Sequence, residues 1–168
     1  MLYMTISTGI GGGVISGEFW NGTSWAALPF ALDTVGSSTN HGFDVVYEST
    51  SGDAILVWNN GTGGSSPISY RVWNGTSWSG EQNISTTFTG DARQMQLAAD
   101  PNSDEMILAV SNDGKQEYAL VWNGSSWASS QVLDGGSGGD DHTSVFVAYE
   151  AQSGEAVAVY DTGSGTTL

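Results

Sequence analysis

Apolar residues along this chain come in short runs separated by clusters of Gly, Ser, Thr, Asn and Asp, and none of the runs has a helical period. Segments such as FDVVY, AILVW, ISYRVW, EMILAV and YALVW are rich in β-branched and aromatic residues and are closed off by turn formers, the pattern of β-strands. Helices favour Ala, Leu, Glu, Lys and Arg, and no stretch carries these at 3.6-residue spacing. The pattern predicts strands over 43–48, 53–58, 68–73 and 78–85, then over 95–100, 105–110, 116–122 and 127–133. The fold class is all-β.

The strands recur. Trp-Asn-Gly-Thr/Ser-Ser-Trp runs from Trp20 to Trp25, Trp73 to Trp78 and Trp122 to Trp127, at spacings of 53 and 49 residues. Between these hexapeptides a second segment repeats: VVYESTSGDAILVW from Val45, LAADPNSDEMILAV from Leu97 and VAYEAQSGEAVAVY from Val147, offset by 52 and 50. Two landmarks therefore agree on a unit of about 50 residues, and four antiparallel strands per such unit is the signature of β-propeller blades. The chain reads as one repeat domain, 1–168. It divides into a partial blade at 1–35, blades at 43–86 and 94–134, and a partial blade at 144–161. The strand tally of three, four, four and two does not close a ring, which needs four to eight blades. A second copy or a longer parent chain is expected to complete it, so the predicted partner is a homo-oligomer or that parent chain.

Each hexapeptide places an Asn-Gly pair in a tight turn, where both residues can adopt positive φ. The flanking pairs Trp20 and Trp25, Trp73 and Trp78, and Trp122 and Trp127 offer large apolar surfaces at one place in every unit, which predicts packing between blades. The same asparagines create glycosylation sequons: Asn21, Asn74 and Asn123, joined by Asn60 and Asn83.

Charge narrows the partners. Eighteen acids stand against three basic residues, a net charge of −15. Three cations cannot neutralise a phosphate track, which excludes most nucleic-acid roles, and the same shortage disfavours anionic membranes. The apolar runs are too short to span a bilayer, so no membrane insertion is expected. With no cysteine there is no disulfide framework, thiolate nucleophile or Cys-ligated zinc.

The WNGTSW hairpins, with Ser51–Asp53 and Ser153–Glu155 as the other turns, resemble the tandem repeats of secreted or cell-surface β-propeller proteins of prokaryotes. That resemblance implies an extracellular, multi-repeat protein. A weaker likeness is to the Asp-box of sialidase-type propellers: Gly22 and Trp25, Gly75 and Trp78, and Gly124 and Trp127 keep its Gly-x-x-Trp spacing. Trp20, Trp73 and Trp122 replace its aspartate. Sialidases use an arginine cluster, and this chain has only Arg71 and Arg93.

Two groups of residues could carry chemistry. His41, Arg93 and His142 fall at equivalent places in the loops leading into the first strand of each unit, where they could meet at one mouth as an anion or metal site. Acids recur about the first turn: Glu48 and Asp53, Asp100 and Glu105, Glu150 and Glu155, with Asp104 in the middle unit. Carboxylates paired across a tight turn are candidate calcium ligands, and no other cofactor is expected. The expected function is a non-enzymatic structural or interaction module, extracellular or at the cell surface. A glycan-binding lectin is the alternative, and a glycoside hydrolase the third reading.

Overall fold

The computed structural model describes residues 2–7, 13–27, 33–35, 42–61, 67–85, 87, 90–136 and 145–162. Among these there is no helix. The described residues hold fourteen strands in four antiparallel sheets, none of these closed into a barrel. The first sheet holds β1 (Leu2–Ser7), β2 (Gly13–Trp20), β3 (Trp25–Ala27) and β4 (Asp33–Val35). Both β3 and β4 pair with β2, so the sheet is three strands deep. The second runs in sequence order through β5 (Phe43–Tyr47), β6 (Ala54–Asn59), β7 (Ile68–Trp73) and β8 (Gln82–Ile84). The third repeats this with β9 (Ala92–Ala99), β10 (Glu105–Asn112), β11 (Glu117–Asn123) and β12 (Trp127–Asp134). The fourth is the hairpin of β13 (Val145–Tyr149) and β14 (Ala156–Tyr160).

Side-chain alternation along the strands builds the core. In β6 every residue is buried, yet the two faces serve different neighbours. Leu56 and Trp58 pack with Ile15 of the first sheet, and Ile55 and Val57 join Met106, Leu108 and Val110 of the third. In β10 the opposite face, through Ala109, meets Val145 and Val147 of the fourth sheet. The sheets therefore stack face to face in chain order, each inner strand covered on both sides, which is why AILVWN and EMILAV are nearly continuous apolar runs. The first strands β5, β9 and β13 lie side by side.

Three features differ from the sequence reading. The strand expected from 78 to 85 is reduced to a single bridge, Trp73 to Trp78, and the short β8. Ser79 is responsible: its hydroxyl accepts the Val72 N–H at 3.0 Å, and its backbone N–H donates to the Val72 carbonyl at 2.8 Å, so the ladder stops there. β9 begins at Ala92 rather than Met95, which puts Arg93 within a strand instead of a loop.

The third difference concerns the hairpins. Only the glycine of each Asn-Gly pair has positive φ: +97° at Gly22 and +88° at Gly75 and Gly124. The asparagine works through its side chain. Asn74 Oδ1 accepts the backbone N–H groups of Thr76 (3.1 Å) and Ser77 (2.9 Å), and Asn21 and Asn123 do the same in their hairpins. A short side-chain carbonyl that satisfies two turn donors makes positive φ at that residue unnecessary.

Gly75 and Gly124 share a φ of +88°, but a Cβ at Gly75 would meet nothing within 4 Å and one at Gly124 would lie 3.3 Å from Asp104 Cβ. Gly75→Ala is expected to cost about 1–2 kcal/mol through the backbone alone. Gly124→Ala should cost more, because Asp104 must also shift. Urea unfolding of the two variants tests this, and equal losses would mean that Asp104 gives way freely.

Candidate functional site

The turns between the first and second strands form a row at one end of the stack, and here most of the recurrent acids are used. The backbone N–H of Glu48 donates to the Asp53 carbonyl at 2.7 Å and closes the turn. The Glu48 side chain is 5 % exposed. Its Oε1 accepts the indole N–H of Trp122 at 2.6 Å, across the boundary between second and third sheets, while Oε2 accepts the Ser51 hydroxyl. Asp104 stands where the other two units have Gly52 and Gly154. Its Oδ1 reaches back to accept the backbone N–H groups of Thr50 (2.7 Å) and Ser51 (2.9 Å). The Ser49 hydroxyl donates to the Asp100 carbonyl at 2.7 Å.

The same relay passes to the fourth sheet. Asn102 Nδ2 donates to the Ala151 carbonyl at 3.1 Å, and the Tyr149 hydroxyl donates to Glu105 Oε1 at 3.1 Å. Burial, then the Glu105 carboxylate, pushes the Tyr149 phenol well above its usual range. Asp100 accepts the Ser103 hydroxyl (2.6 Å) and the Asn102 N–H (2.9 Å), which hold its carboxyl below the ordinary value. Glu150 is lowered likewise, by the backbone N–H of Ser153 first and that of Gln152 as well. Asp53 is half-buried and Glu155 exposed beside their turns.

Glu48, Asp100, Asp104, Glu105 and Glu150 point at backbone and side-chain donors of their own or the next turn rather than at a shared centre. Among the described residues no group of three or more His, Cys, Asp or Glu side chains could hold a metal ion. A carboxylate that accepts turn N–H groups is a turn-stabilising device.

Two of the tryptophan pairs, Trp73–Trp78 and Trp122–Trp127, sit where sheets meet. Within each hexapeptide the two rings lie 5.4–5.6 Å apart. Tyr70 of the second sheet packs edge-on against Trp122 (5.8 Å) and Trp127 (6.1 Å) of the third. Phe19 of the first sheet lies 6.3 Å from Trp73 of the second, and Trp78 packs on the same core. The second and third pairs thus each face the preceding sheet. Trp122 is 4 % exposed, whereas Trp25, on the first sheet, is 45 % exposed.

A second relay, which the sequence reading missed, runs along the first strands. Asp44 Oδ2 accepts the Leu97 N–H at 2.7 Å, and Gln96 Oε1 accepts the Val147 N–H at 2.9 Å. Positions 44 and 96 are one unit apart, so the same column of the repeat ties each first strand to the next. Comparing Asp44 with Gln96 in the repeat alignment would have found it. Phe146 occupies the third place in that column and is 54 % exposed. It borders a pocket of about 220 Å³ with Phe43, Asp44, Gln94, Met95 and Gln96, smaller than the usual small-molecule site.

Arg93 is half-buried on β9, while His41 and His142 lie outside the described residues. Of the sequon asparagines, Asn21, Asn74 and Asn123 hold exposed turns, and Asn60 Nδ2 donates to Ser69 Oγ (3.1 Å) and Asn83 Oδ1 (3.4 Å). No described helix is long and apolar enough to cross a membrane. Comparison with protein-family models, curated proteins and solved structures finds no match for this chain.

Proposed function

We propose that the chain is a non-enzymatic structural and interaction module made of propeller-type blades. On this reading it works outside the cell or on its surface, self-associating or within a larger surface protein or filament. The observation that carries the reading is the use made of the repeated polar and aromatic residues. Glu48, Asp104, Asn102, Asp44, Gln96 and the tryptophan pairs of the second and third sheets connect one sheet to the next. Residues repeated to join units belong to architecture. Four-stranded sheets stacked in chain order, with β5, β9 and β13 adjacent, support the blade interpretation. The WNGTSW resemblance supports an extracellular place, where the exposed sequons at Asn21, Asn74 and Asn123 could carry glycans.

One observation favours a second reading, glycan binding: Trp25 is 45 % exposed beside Trp20, a ring on which a sugar could stack. Titration with a panel of mono- and oligosaccharides, read by tryptophan fluorescence, separates the two. The structural reading expects no saturable quenching and no release from chromogenic glycosides. Saturable quenching abolished by Trp25→Ala would establish the lectin. Turnover lost on replacing a single carboxylate would establish a hydrolase.

A further inference from the structure

At its turn end the fourth sheet carries a groove of about 290 Å³, lined by Ala148, Tyr149, Glu150, Glu155, Ala156 and Val157. The repeat offsets place Ala148, Glu150 and Val157 two units after Val46, Glu48 and Ile55 of the second sheet. On the second sheet that place is filled. Val46 and Ile55 share a core with Trp122 and Trp127, and Glu48 accepts the Trp122 indole N–H. Trp122 and Trp127, in turn, stand two units after Trp20 and Trp25. The chain therefore contains the assembled interface of the second and third sheets and, at the two ends of its stack, the equivalents of its two halves.

Both halves are exposed. On the fourth sheet Val157 and Val159 are 59 % and 60 % exposed, and on the first sheet Val14 and Trp25 are 41 % and 45 % exposed. Strand alternation explains why. Ile15 faces the second sheet, so Val14 and Trp20 point away from it. Val145, Val147 and Tyr160 face the third sheet, so on β14 the alternate residues Val157 and Val159 point away. No core cluster of the described residues joins the first sheet to the fourth.

From this we infer that a second copy of this chain occupies the groove. The Trp20–Trp25 hairpin of one copy docks on the fourth sheet of another, continuing the stack in the geometry of the second and third sheets. Trp20 Nε1–H then donates to Glu150, as Trp122 does to Glu48. Glu150 is already prepared for this role: Oε2 holds its own turn through Gln152 and Ser153, as Glu48 Oε2 is held by Ser51. The contact is heterologous, head to tail, so it propagates into a ring or a filament. Copies of net charge −15 repel, and association should strengthen as salt is raised. The inference rests on the structural-module reading and names its partner.

Sedimentation velocity and native mass spectrometry of the 168-residue chain test it, with two variants at exposed positions and near-UV circular dichroism as the check on folding. One variant blocks the fourth sheet (Val157→Asp with Val159→Asp) and the other the first sheet (Val14→Asp with Trp25→Ser). Val157→Lys alone replaces the former should it unfold. The wild type is expected to form species above 17.5 kDa that grow with concentration. Each variant alone should stay monomeric, and their equimolar mixture should give a dimer and nothing larger, since one intact head meets one intact tail. A wild type that stays monomeric up to millimolar concentration overturns the inference. So does assembly by either variant alone, or a mixture that remains monomeric. None of these results depends on the sugar and turnover assays, so loss of this interface and loss of the structural-module reading are told apart.

Discussion

Trp122→Ala is expected to lower the unfolding free energy by about 3–5 kcal/mol. The ring is 4 % exposed and packs against both Tyr70 and Trp127, so its removal opens the boundary between second and third sheets. Truncation also takes the indole N–H from Glu48, a carboxylate that is itself 5 % exposed. A buried acceptor that loses its donor carries its desolvation cost uncompensated. Trp122→Phe separates the two effects: it keeps most of the packing and removes the hydrogen bond, at an expected ~1.5–3 kcal/mol. Combining it with Glu48→Gln in a double-mutant cycle by urea unfolding should give a clear coupling term. A Trp122→Phe variant as stable as the wild type would show that the Glu48 bond contributes nothing. Trp25→Ala, the equivalent change at an exposed ring, should cost far less.

Glu117→Gln is expected to change how stability depends on pH. Glu117 is 1 % exposed on β11, opposite Asp134 in the ladder, and its Oε2 has no hydrogen-bond partner. Burial, and then the charges of Asp134 and Asp161, push its carboxyl from 4.5 up to about 8. The folded chain thus holds this proton at neutral pH while the unfolded chain has released it. The contribution of Glu117 is complete below pH 4.5 and is lost as pH rises towards 8, above which the folded form ionises too. The slope inside that window is at most about 1.4 kcal/mol per pH unit, reduced by solvent screening. Glutamine keeps the shape and never ionises. The variant should match the wild type near pH 4.5 and exceed it in melting temperature at pH 8. Parallel wild-type and variant curves across that range would refute the assignment.

What could be read in advance follows from how local each feature is. The WNGTSW hairpin was legible because its closing pair, its glycine and its capping side chain lie within six residues. Even there the role of Asn74 was misassigned: an Asn-Gly pair is compatible with more than one turn, and only the placement of its Oδ1 distinguishes them. The acids at 48, 100, 104, 105 and 150 were recognised as recurrent, but their partners were not. Glu48 meets Trp122 74 residues downstream, a distance at which composition carries no information about contact. Asp44 and Gln96 were overlooked because an isolated polar residue in a strand looks like a solvent-facing position.

By itself the sequence determined an all-β chain, the repeat of about 50 residues and the turns, because alternation and turn chemistry act over a few residues. Which apolar positions are covered was left to the tertiary structure. Ile55 and Val57 of β6 and their repeat equivalents Val157 and Val159 of β14 sit in the same pattern on paired strands. Yet the first two are fully buried and the last two are 59 % and 60 % exposed. The physical difference is a neighbour: the third sheet covers Ile55 and Val57, and among the described residues no sheet packs on that face of β14. Burial belongs to the pair of surfaces in contact, and one strand's residues specify only its own half.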